Sequence, residues 1–552
     1  MLNINNKICK VLRSISLVDF LVLFLFVYMF FSNRKNGDDI SIELFSWIEL
    51  SFALYYFLRI IFNIGRNTTY IIVVFILEIS SIIECSVAIF QIIGILESKN
   101  TIFLCSGLFD NPGPLGGYIT SVALVSVNYL ISKRNNEVIS LPSIIDKLLV
   151  YCSFISIILF LVVIPSTQSR ASLLSMIVSF LCLTCRYSRI NAFVIRHRII
   201  TGMIIIFALA IICIFKRPSL NGRIFTYKIA SMSIVNHQYK GVGMGHFSNS
   251  YGEAQRQFFS KRISIVEGSL VYNHEDNNMK VADNPTVCFN DYLQMGMEFG
   301  VGPLLLFIFL TAVSLHHLYI NNSPFCYGLL SMTVFGFFSY PFSLWEFRIL
   351  FLIYIAYSGS LDNNDIIKQK INICYVILYS VPVVLFGPNI MSEKNKKVNE
   401  IKWEQQRFMY EAKEYTSYEF CCMQLYDNLR YNCAFLYEYA YSLLQNEKLE
   451  ECLKIINEGL SISGSSQFYI LRGDLNKKTG NIKEAEQDYI DAFMALPDRI
   501  YPLYKLALLY YESNQFVCFV NMSKSIDDFK PRIESVSTQD VRDMMKLIGE
   551  PN

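Results

Sequence analysis

Residues 147–165 read KLLVYCSFISIILFLVVIP, with a single charged side chain at the first position. A helix of this length spans close to the roughly 30 Å hydrocarbon core of a bilayer. Similar stretches recur along the chain, which is 53% hydrophobic and only 17% charged, whereas soluble domains average about 25% charged residues. The sequence therefore predicts about eleven membrane-spanning helices, at residues 16–32, 43–62, 70–96, 115–132, 147–165, 172–185, 199–215, 301–320, 325–342, 347–358 and 371–388.

The distribution of Lys and Arg predicts the orientation of these spans, because cytoplasmic loops carry an excess of cations. With the N-terminus in the cytoplasm, fourteen cations lie at inner ends and five lie in short outer loops. The five outer cations are Arg34, Lys35, Lys99, Arg170 and Arg348. This orientation places the long loop 216–300 and everything after residue 389 outside the cytoplasm. Long ordered loops are usually functional, so we expect the loop 216–300 to contribute to a site.

The composition excludes several classes of function. The fifteen cysteines show no CxxC pair and no Cys/His spacing suited to zinc. The net charge is +2, and no cluster of basic and aromatic residues resembles a nucleic-acid surface. We therefore expect no metal, no cofactor and no nucleic-acid partner.

After residue 391 the pattern changes to amphipathic helices with a period near 34 residues. Ala440, Gly473 and Ala507 share one small-residue position, and the three residues twelve positions further on are Cys452, Ala485 and Phe519. Small residues at helix crossings with this period are typical of tetratricopeptide repeats. The sequence therefore predicts a multi-pass domain over 1–391 and a soluble helical repeat domain over 392–552. A generic helical bundle is the alternative.

Four predicted outer segments contain residues that are unusual in a membrane protein. They are 107–118 (GLFDNPGPLGGY), 166–172 (STQSRAS), residues 221–223 (NGR) with 241–247 (GVGMGHF), and 289–300 (FNDYLQMGMEFG). Guanidinium groups suit phosphate oxygens, so Arg170 and Arg223 are candidates for binding an anion. Each segment also has a structural alternative, as a turn, an arginine reaching lipid headgroups or an interfacial helix.

Two carboxylates, Glu78 and Glu84, lie on the predicted third span. Ionisable residues within a membrane are functional candidates by default. They are six residues apart and so face directions about 120° apart on a helix, which does not make them a pair. They motivate a transporter as an alternative function.

In their order along the chain, the outer segments resemble the O-antigen ligase and polymerase superfamily of bacterial membrane glycosyltransferases. The matching residues are the Asn-Pro motif of 109–118, Ser169-Arg170-Ala171, Gly222-Arg223, Gly241, Gly243, Gly245 and Phe247, and Asn290, Tyr292, Leu293 and Gln294 with Glu298 and Gly300. The resemblance covers roughly residues 100–345. Tyr251, Gln255 and the segment 496–502 (LPDRIYP) are similar to the branch of that superfamily with C-terminal tetratricopeptide repeats.

The resemblance implies a GT-C-like fold in the bacterial cytoplasmic membrane. It implies transfer of a glycan from undecaprenyl diphosphate to a lipid, polysaccharide or protein acceptor on the outer face, without nucleotide sugar or metal. The candidate catalytic residues are Arg170 and Arg223, which would neutralise the charge on the leaving diphosphate, with Glu298 and His246 as candidate bases. The implied substrate-binding residues are Asn111, Gly241, Gly243, Gly245, Tyr251, Gln255, Asn290, Tyr292 and Gln294. Membrane lipids and a protein bound by the repeat domain are the other expected partners.

The chain departs from the family pattern at Phe289, where many ligases carry a histidine. Either another group acts as the base, or deprotonation is late, or activity has been lost. His246, Glu253, His274 and Glu298 are the candidate replacements, with His246 and Glu298 preferred because they lie inside matched motifs. The alternatives to a transferase are a lipid or ion transporter or flippase, and a non-catalytic scaffold that presents the repeat domain.

Overall fold

The protein is described by a computed structural model that covers residues 15–36, 41, 44–100, 102–135, 143–187, 217–272, 277–361, 373–386 and 389–549. The predicted seventh span, 199–215, and His274 lie outside these described residues. The described residues form 22 α-helices, one two-stranded sheet and two short 3-10 helices. The predicted helical class is therefore confirmed.

The elements fall into three consecutive parts of the chain. The first contains α1 (Leu17–Asn36), α2 (Ser46–Ile64), α3 (Arg66–Ile92), α4 (Pro112–Arg134), α5 (Ser143–Thr167) and α6 (Arg170–Arg186). The second contains α7 (Arg217–Asn236), α8 (Phe247–Ser260), β1 (Ile263–Val266), β2 (Ser269–Tyr272), a 3-10 helix (Asn277–Val281), α9 (Asp291–Glu298), α10 (Val301–Ile320), α11 (Phe325–Gly336), a 3-10 helix (Pro341–Ser343), α12 (Trp345–Leu361) and α13 (Ile373–Phe386). The third contains α14 (Asn389–Glu411), α15 (Tyr415–Leu429), α16 (Cys433–Gln445), α17 (Leu449–Ile462), α18 (Ser466–Lys478), α19 (Ile482–Ala495), α20 (Tyr501–Glu512), α21 (Phe516–Asp528) and α22 (Val536–Gly549).

The helices α1–α6 and α10–α13 form what we call the apolar bundle. Six of its helices, α1–α5 and α10, are long and apolar enough to cross a membrane. Large apolar side chains also face outward, since Phe24, Leu161 and Leu305 are 60–66% exposed. An exposed apolar surface of this kind is compatible with a multi-pass membrane protein.

The eleven spans predicted from the sequence are not confirmed within the described residues. The predicted spans 172–185, 347–358 and 371–388 correspond to α6, α12 and α13, which are 17, 17 and 14 residues long. The predicted span 325–342 is helical only to Gly336. Tyr340 precedes Pro341, and the residue before a proline disfavours the helical conformation, so the chain turns here before α12 begins.

A buried polar network holds α1, α2 and α13 together. The Asp19 carboxylate accepts hydrogen bonds from Arg59 Nε at 2.7 Å and Nη2 at 2.8 Å. It also accepts hydrogen bonds from the hydroxyls of Tyr55 at 2.6 Å and Tyr379 at 2.8 Å. Arg59 is 0% and Asp19 2% exposed, so water does not compete for this pair. The sequence indicated Arg59 only as one of the inner cations.

The segment 217–300 packs on the C-terminal helices rather than forming a separate loop. Its apolar side chains share one core with them, including Phe247, Tyr251 and Phe258 from α8 and Tyr489 and Phe493 from α19. The segment also contains the β1–β2 hairpin, which the all-α prediction missed. Glu267 and Gly268 at its turn both have positive φ, 49° and 78°, as tight hairpin turns require.

Successive C-terminal helices pack on one another across short connections. The first helices of three pairs begin at Cys433, Ser466 and Tyr501, close to the predicted period. At the small-residue position of the middle pair, a Cβ on Gly473 would lie 2.6 Å from the ring of Tyr489, so the helices meet too closely for a larger side chain. The tetratricopeptide assignment itself stays a prediction.

Candidate functional site

A cleft of about 280 Å³ brings together five chain segments that are far apart in sequence. Four of them contain residues of the outer segments singled out above, and the fifth, 339–340, was predicted as the end of a span. The lining residues are Phe103, Asn111, Pro112, Gly113, Pro114, Thr167, Gln168, Ser169, Arg170, Ala171, Arg223, Phe289, Ser339 and Tyr340. Of the predicted site residues, Arg170, Arg223 and Asn111 therefore meet at one place.

Two helices of the apolar bundle begin at this cleft. Pro112 starts α4, where proline is favoured because its missing N–H needs no partner there. Arg170 starts α6, and the N-cap Ser169 accepts a hydrogen bond from Ser172 N at 3.3 Å. The two helix starts lie close together, since a Cβ on Gly116 would stand 2.7 Å from Ser172 Oγ. Helix N-termini carry partial positive charge, so both helices favour an anion in the cleft.

Arg223, on α7, is fixed in place by contacts on two sides. Its Nη1 donates a hydrogen bond to the Phe338 carbonyl oxygen at 2.7 Å, and its guanidinium lies 5.2 Å from the centre of the Phe289 ring. Burial lowers the pKa of Arg223, and the nearby positive charge of Arg170 lowers it further. Two guanidinium groups close enough to repel each other are stabilised by an anion placed between them.

Phe289 and Tyr340 form the aromatic wall of the cleft. Their rings lie 5.4 Å apart in an edge-to-face arrangement. The Tyr340 hydroxyl accepts a hydrogen bond from Asn111 Nδ2 at 3.2 Å, which ties the α11–α12 connection to the start of α4. Phe289 has a φ of 53°, an uncommon conformation for a bulky residue that is maintained only by its surroundings.

The charged side chains that line the cleft are all positive. Among the described lining residues, Arg170 and Arg223 are charged and none carries a carboxylate or an imidazole. The remaining polar groups are hydroxyls and amides, which hydrogen-bond either sign of charge. The cleft is therefore suited to an anion rather than to a cation.

The glycine-rich segment lies elsewhere, against the end of α9. Val242 N and Gly243 N donate hydrogen bonds to the carbonyl oxygens of Met297 at 3.0 Å and Glu298 at 2.9 Å. A Cβ on Gly241 would stand 2.6 Å from Gly300 N, and Gly241, Gly243 and Gly245 all have positive φ, between 81° and 100°. These glycines permit close approach of two backbone segments of this chain, and none of them lines the cleft.

Glu298 is buried beneath the glycine-rich segment. Its Oε1 accepts hydrogen bonds from Gly245 N at 3.3 Å and Gln294 Nε2 at 3.5 Å. Burial raises the pKa of Glu298 to about 7, which these hydrogen bonds oppose. A carboxyl group that titrates near neutral pH has the property of a general base, but Glu298 is not among the residues that line the cleft.

His246, Tyr251 and Gln255 lie at the junction with the C-terminal helices. His246 Nδ1 lies 2.6 Å from the carbonyl oxygen of Ser461, and Gln255 Nε2 donates to Ala495 O at 2.6 Å. Tyr251 donates to Gln255 Oε1 at 3.0 Å and is 0% exposed. These predicted site residues therefore lie in the junction between segment 217–300 and the C-terminal helices, and they do not line the cleft.

The polar residues of the fourth motif shape α9. Asn290 is its N-cap and accepts hydrogen bonds from Tyr292 N at 3.1 Å and Leu293 N at 3.0 Å. The Tyr292 hydroxyl donates to Thr333 O at 3.0 Å, and Gln294 Oε1 accepts from Cys288 N at 3.1 Å. These contacts hold Phe289 at the cleft wall.

Sequence reasoning missed Tyr340, because it lies inside an apolar stretch predicted as a span. The Tyr-Pro step at 340–341 was the available signal for a chain turn. Gln168, also missed, has a φ of 48° and lies directly before the start of α6.

The two carboxylates of α3 are placed differently. Glu84 Oε2 accepts a hydrogen bond from Leu108 N at 3.0 Å and so positions the chain before α4. Glu78 is fully buried, and its Oε1 accepts hydrogen bonds from Ser126 at 3.1 Å and Ser153 at 2.5 Å.

Within the described ranges, no group of three or more His, Cys, Asp or Glu side chains is arranged to hold a metal ion.

Comparison of the chain with protein-family models, curated proteins and solved structures finds no match. The function is therefore inferred from the residues and geometry of the cleft.

Proposed function

We propose that this protein transfers a glycan from undecaprenyl diphosphate to an acceptor hydroxyl on the outer face of the bacterial cytoplasmic membrane. The observation that carries the proposal is the meeting of Arg170, Arg223 and two helix N-termini in one cleft. These groups come from segments whose order along the chain resembles the O-antigen ligase and polymerase superfamily. A lipid diphosphate is an anion of the kind that such a cleft favours.

In the proposed reaction, an acceptor oxygen attacks the anomeric carbon of the donor sugar. A new glycosidic C–O bond forms, the bond from the sugar to the diphosphate breaks, and undecaprenyl diphosphate leaves with the bonding electron pair. Negative charge grows on the diphosphate, and the guanidinium groups of Arg170 and Arg223 stabilise it. Removing one preorganised donor of this kind typically costs about 10²–10³ in kcat.

The acceptor proton is proposed to leave late in the reaction. The described cleft residues include no carboxylate or imidazole. Burial raises the pKa of the Tyr340 phenol above its usual value, which is too high for an efficient base at neutral pH. Water or the departing diphosphate then takes the proton. Glu298 and His246 stay predicted bases whose participation requires the acceptor to reach them outside the cleft.

Three activities share this chemistry: an O-antigen ligase, a polysaccharide polymerase and a protein O-glycan ligase. The proposed orientation places the C-terminal helices on the same side of the membrane as the cleft. Their shared core with segment 217–300 supports a direct role in presenting an acceptor or a protein partner.

The test is complementation of a gene deletion, with surface polysaccharides and glycoproteins separated on gels. Wild type, Arg170→Ala and Arg223→Ala are compared at matched expression. Arg262→Ala is the matched control, because Arg262 donates to Phe258 O at 2.9 Å and lies 3.6 Å from its ring, a contact set like that of Arg223 but outside the cleft. The proposal is supported if wild type and Arg262→Ala restore glycan transfer and Arg170→Ala and Arg223→Ala do not. Full activity of a folded Arg170→Ala or Arg223→Ala protein would overturn it.

A lipid or ion transporter is the second candidate, because Glu78 Oε2 has no hydrogen-bond partner among the described residues. A buried carboxylate with one oxygen unsatisfied suits proton or cation binding. In the same complementation assay, Glu78→Gln separates the two proposals. Loss of function in Glu78→Gln with retention in Arg170→Ala favours transport.

A further inference from the structure

A groove of about 610 Å³ lies between α4 and α5, at the opposite end of α4 from the cleft that holds Arg170. We call it the α4–α5 groove. Two stripes of residues line it, each with the three- and four-residue spacing of one helix face. The stripes are Val127, Leu130, Ile131 and Arg134 on α4, and Lys147, Val150, Tyr151, Phe154 and Ile157 on α5. Both helices are long and apolar enough to cross a membrane.

The groove has a charged end and a long apolar wall. Lys147 and Ile157 are ten residues apart on α5, which corresponds to about 15 Å along a helix. This is about half of the roughly 30 Å hydrocarbon core of a bilayer, so the wall is as long as one leaflet is thick. The wall also opens outward, since Tyr151 is 62% and Phe154 52% exposed. In a membrane, such a surface is covered by lipid chains.

The charged end of the groove has an excess of positive charge. Lys133 and Asp146 form an ion pair at 2.5 Å, which joins the end of α4 to the start of α5. Arg134 and Lys147, the next residues along the chain, also line the groove, and neither has a carboxylate partner among the described residues. Three cations therefore face one carboxylate. Tyr151 lies one turn from Lys147, and tyrosine is enriched at the level of lipid headgroups.

We infer that the α4–α5 groove binds one anionic membrane phospholipid, with its phosphate at Arg134 and Lys147 and an acyl chain along the apolar wall. Charge complementarity selects the headgroup, because guanidinium and ammonium groups pair with phosphate oxygens. Basic pockets between membrane-spanning helices on the cytoplasmic side bind such headgroups, and the predicted orientation puts this end of α4 on that side. The lipid site does not depend on glycan transfer, which is proposed for the other end of α4.

The test measures which lipid stays bound to the purified full-length protein. The protein is equilibrated in mixed micelles of equimolar phosphatidylglycerol and phosphatidylcholine and repurified, and its bound lipids are counted by mass spectrometry. Each cation near a membrane surface strengthens binding of an anionic lipid about fivefold, so we expect roughly 25-fold enrichment of phosphatidylglycerol on the wild type. Arg134→Gln and Lys147→Gln should each lower the enrichment to about fivefold, and the double variant should show the lipid ratio of the micelle.

Two controls separate the groove from general surface effects. Arg186 ends α6 on the same predicted side of the membrane but does not line the groove, so Arg186→Gln should keep the enrichment. Ile157 lines the groove, whereas the neighbouring Ile158 does not and is 59% exposed. Ile157→Trp should therefore fill the groove and remove about one bound lipid per protein, and Ile158→Trp should not.

Four results would overturn the inference. They are a wild-type lipid ratio equal to that of the micelle, unchanged enrichment in a folded Arg134→Gln/Lys147→Gln protein, an equal loss of enrichment in Arg186→Gln, and undiminished bound lipid in a folded Ile157→Trp protein. The third of these would assign the preference to the overall surface charge instead of the groove. Thermal unfolding of each variant establishes that it is folded.

Discussion

Replacement of Asp19 by asparagine removes the negative charge from a network that joins α1, α2 and α13. Asparagine has the same shape, but its amide group presents two hydrogens to neighbours that are themselves donors. Arg59 is 0% exposed and would keep its positive charge without a counter-ion. The Tyr55 and Tyr379 hydroxyls, at 2.6 and 2.8 Å from the carboxylate, would also lose an ionised acceptor.

The expected loss of stability is about 3–5 kcal/mol, the usual cost of removing one partner from a buried ion pair. The double variant Asp19→Asn/Arg59→Met should be more stable than Asp19→Asn alone, because it also removes the stranded charge. Replacing both members of a buried pair by groups without charge is often nearly neutral. With Arg59→Met alone as the third variant, the coupling between the two residues is the stability change of the double variant minus the sum of the two single changes.

Unfolding can be followed in detergent with a fluorophore that reacts with thiols, after the exposed Cys182 and Cys185 have been blocked in the folded protein. Cys85 and Cys105 are 0% exposed and become reactive only when the apolar bundle opens. Tyr379→Phe, which removes one hydroxyl from the network, is the milder comparison and should cost about 1 kcal/mol. A loss below about 1 kcal/mol in Asp19→Asn, or a double variant less stable than the single one, would refute the reasoning.

Two further predictions concern the junction and the glycine-rich segment. A Cβ on Gly252 would stand 2.5 Å from Gly464 Cα. Gly252→Ala should therefore weaken the packing of segment 217–300 on the C-terminal helices by about 1–3 kcal/mol and speed tryptic cleavage. Gly222→Ala is the control and should have neither effect, because the space around Gly222 is open. Because burial raises the folded-state pKa of Glu298 from 4.5 to about 7, the folded state binds more protons than the unfolded state between those values. Stability should fall by at most about 3 kcal/mol as pH rises through that window, and Glu298→Gln should flatten that part of the Tm–pH curve. A Tm–pH curve unchanged by Glu298→Gln would count against the burial of this carboxyl.

The cleft could be predicted in part because some of its residues are unusual for their position. Arg170 is a cation where the predicted topology disfavours one, and the Pro-Gly run after Asn111 marks a chain turn. Arg223 was identified by its motif. Such signals depend only on residues that are neighbours in the chain, so they can be recognised in the sequence before the fold is known. Tyr340 carries no such signal, since a tyrosine in an apolar stretch looks like any other core residue.

For the glycine-rich segment, the sequence predicts the backbone conformation but not what the backbone contacts. The alternation at 241–245 correctly predicts backbone that approaches something closely, and all three glycines have positive φ. The pattern does not say whether that partner is a ligand or the chain itself. Here it is the backbone of Glu298 and Gly300, whose position depends on contacts formed over long sequence separations.

The pairing of Asp19 with Arg59 depends on the register of two helices against each other. The sequence places an aspartate at the start of one span and an arginine near the end of the next, and either one could face water. Only the packing of α1 on α2 and α13 brings them within 2.7 Å. Side-chain networks between helices are therefore the part of this fold that periodicity alone does not reveal.

The core shared by segment 217–300 and the C-terminal helices has a consequence for biosynthesis. Gln255 hydrogen-bonds to Ala495, 240 residues later in the chain. At synthesis rates of about 5–20 residues per second, the newly synthesised segment waits roughly 12–48 s for its partner. During that interval the apolar face of α8, with Phe247, Tyr251 and Phe258, has nothing to cover it. The nascent protein is therefore expected to need a chaperone, or a nearby membrane surface, to cover this face until its last quarter has been translated.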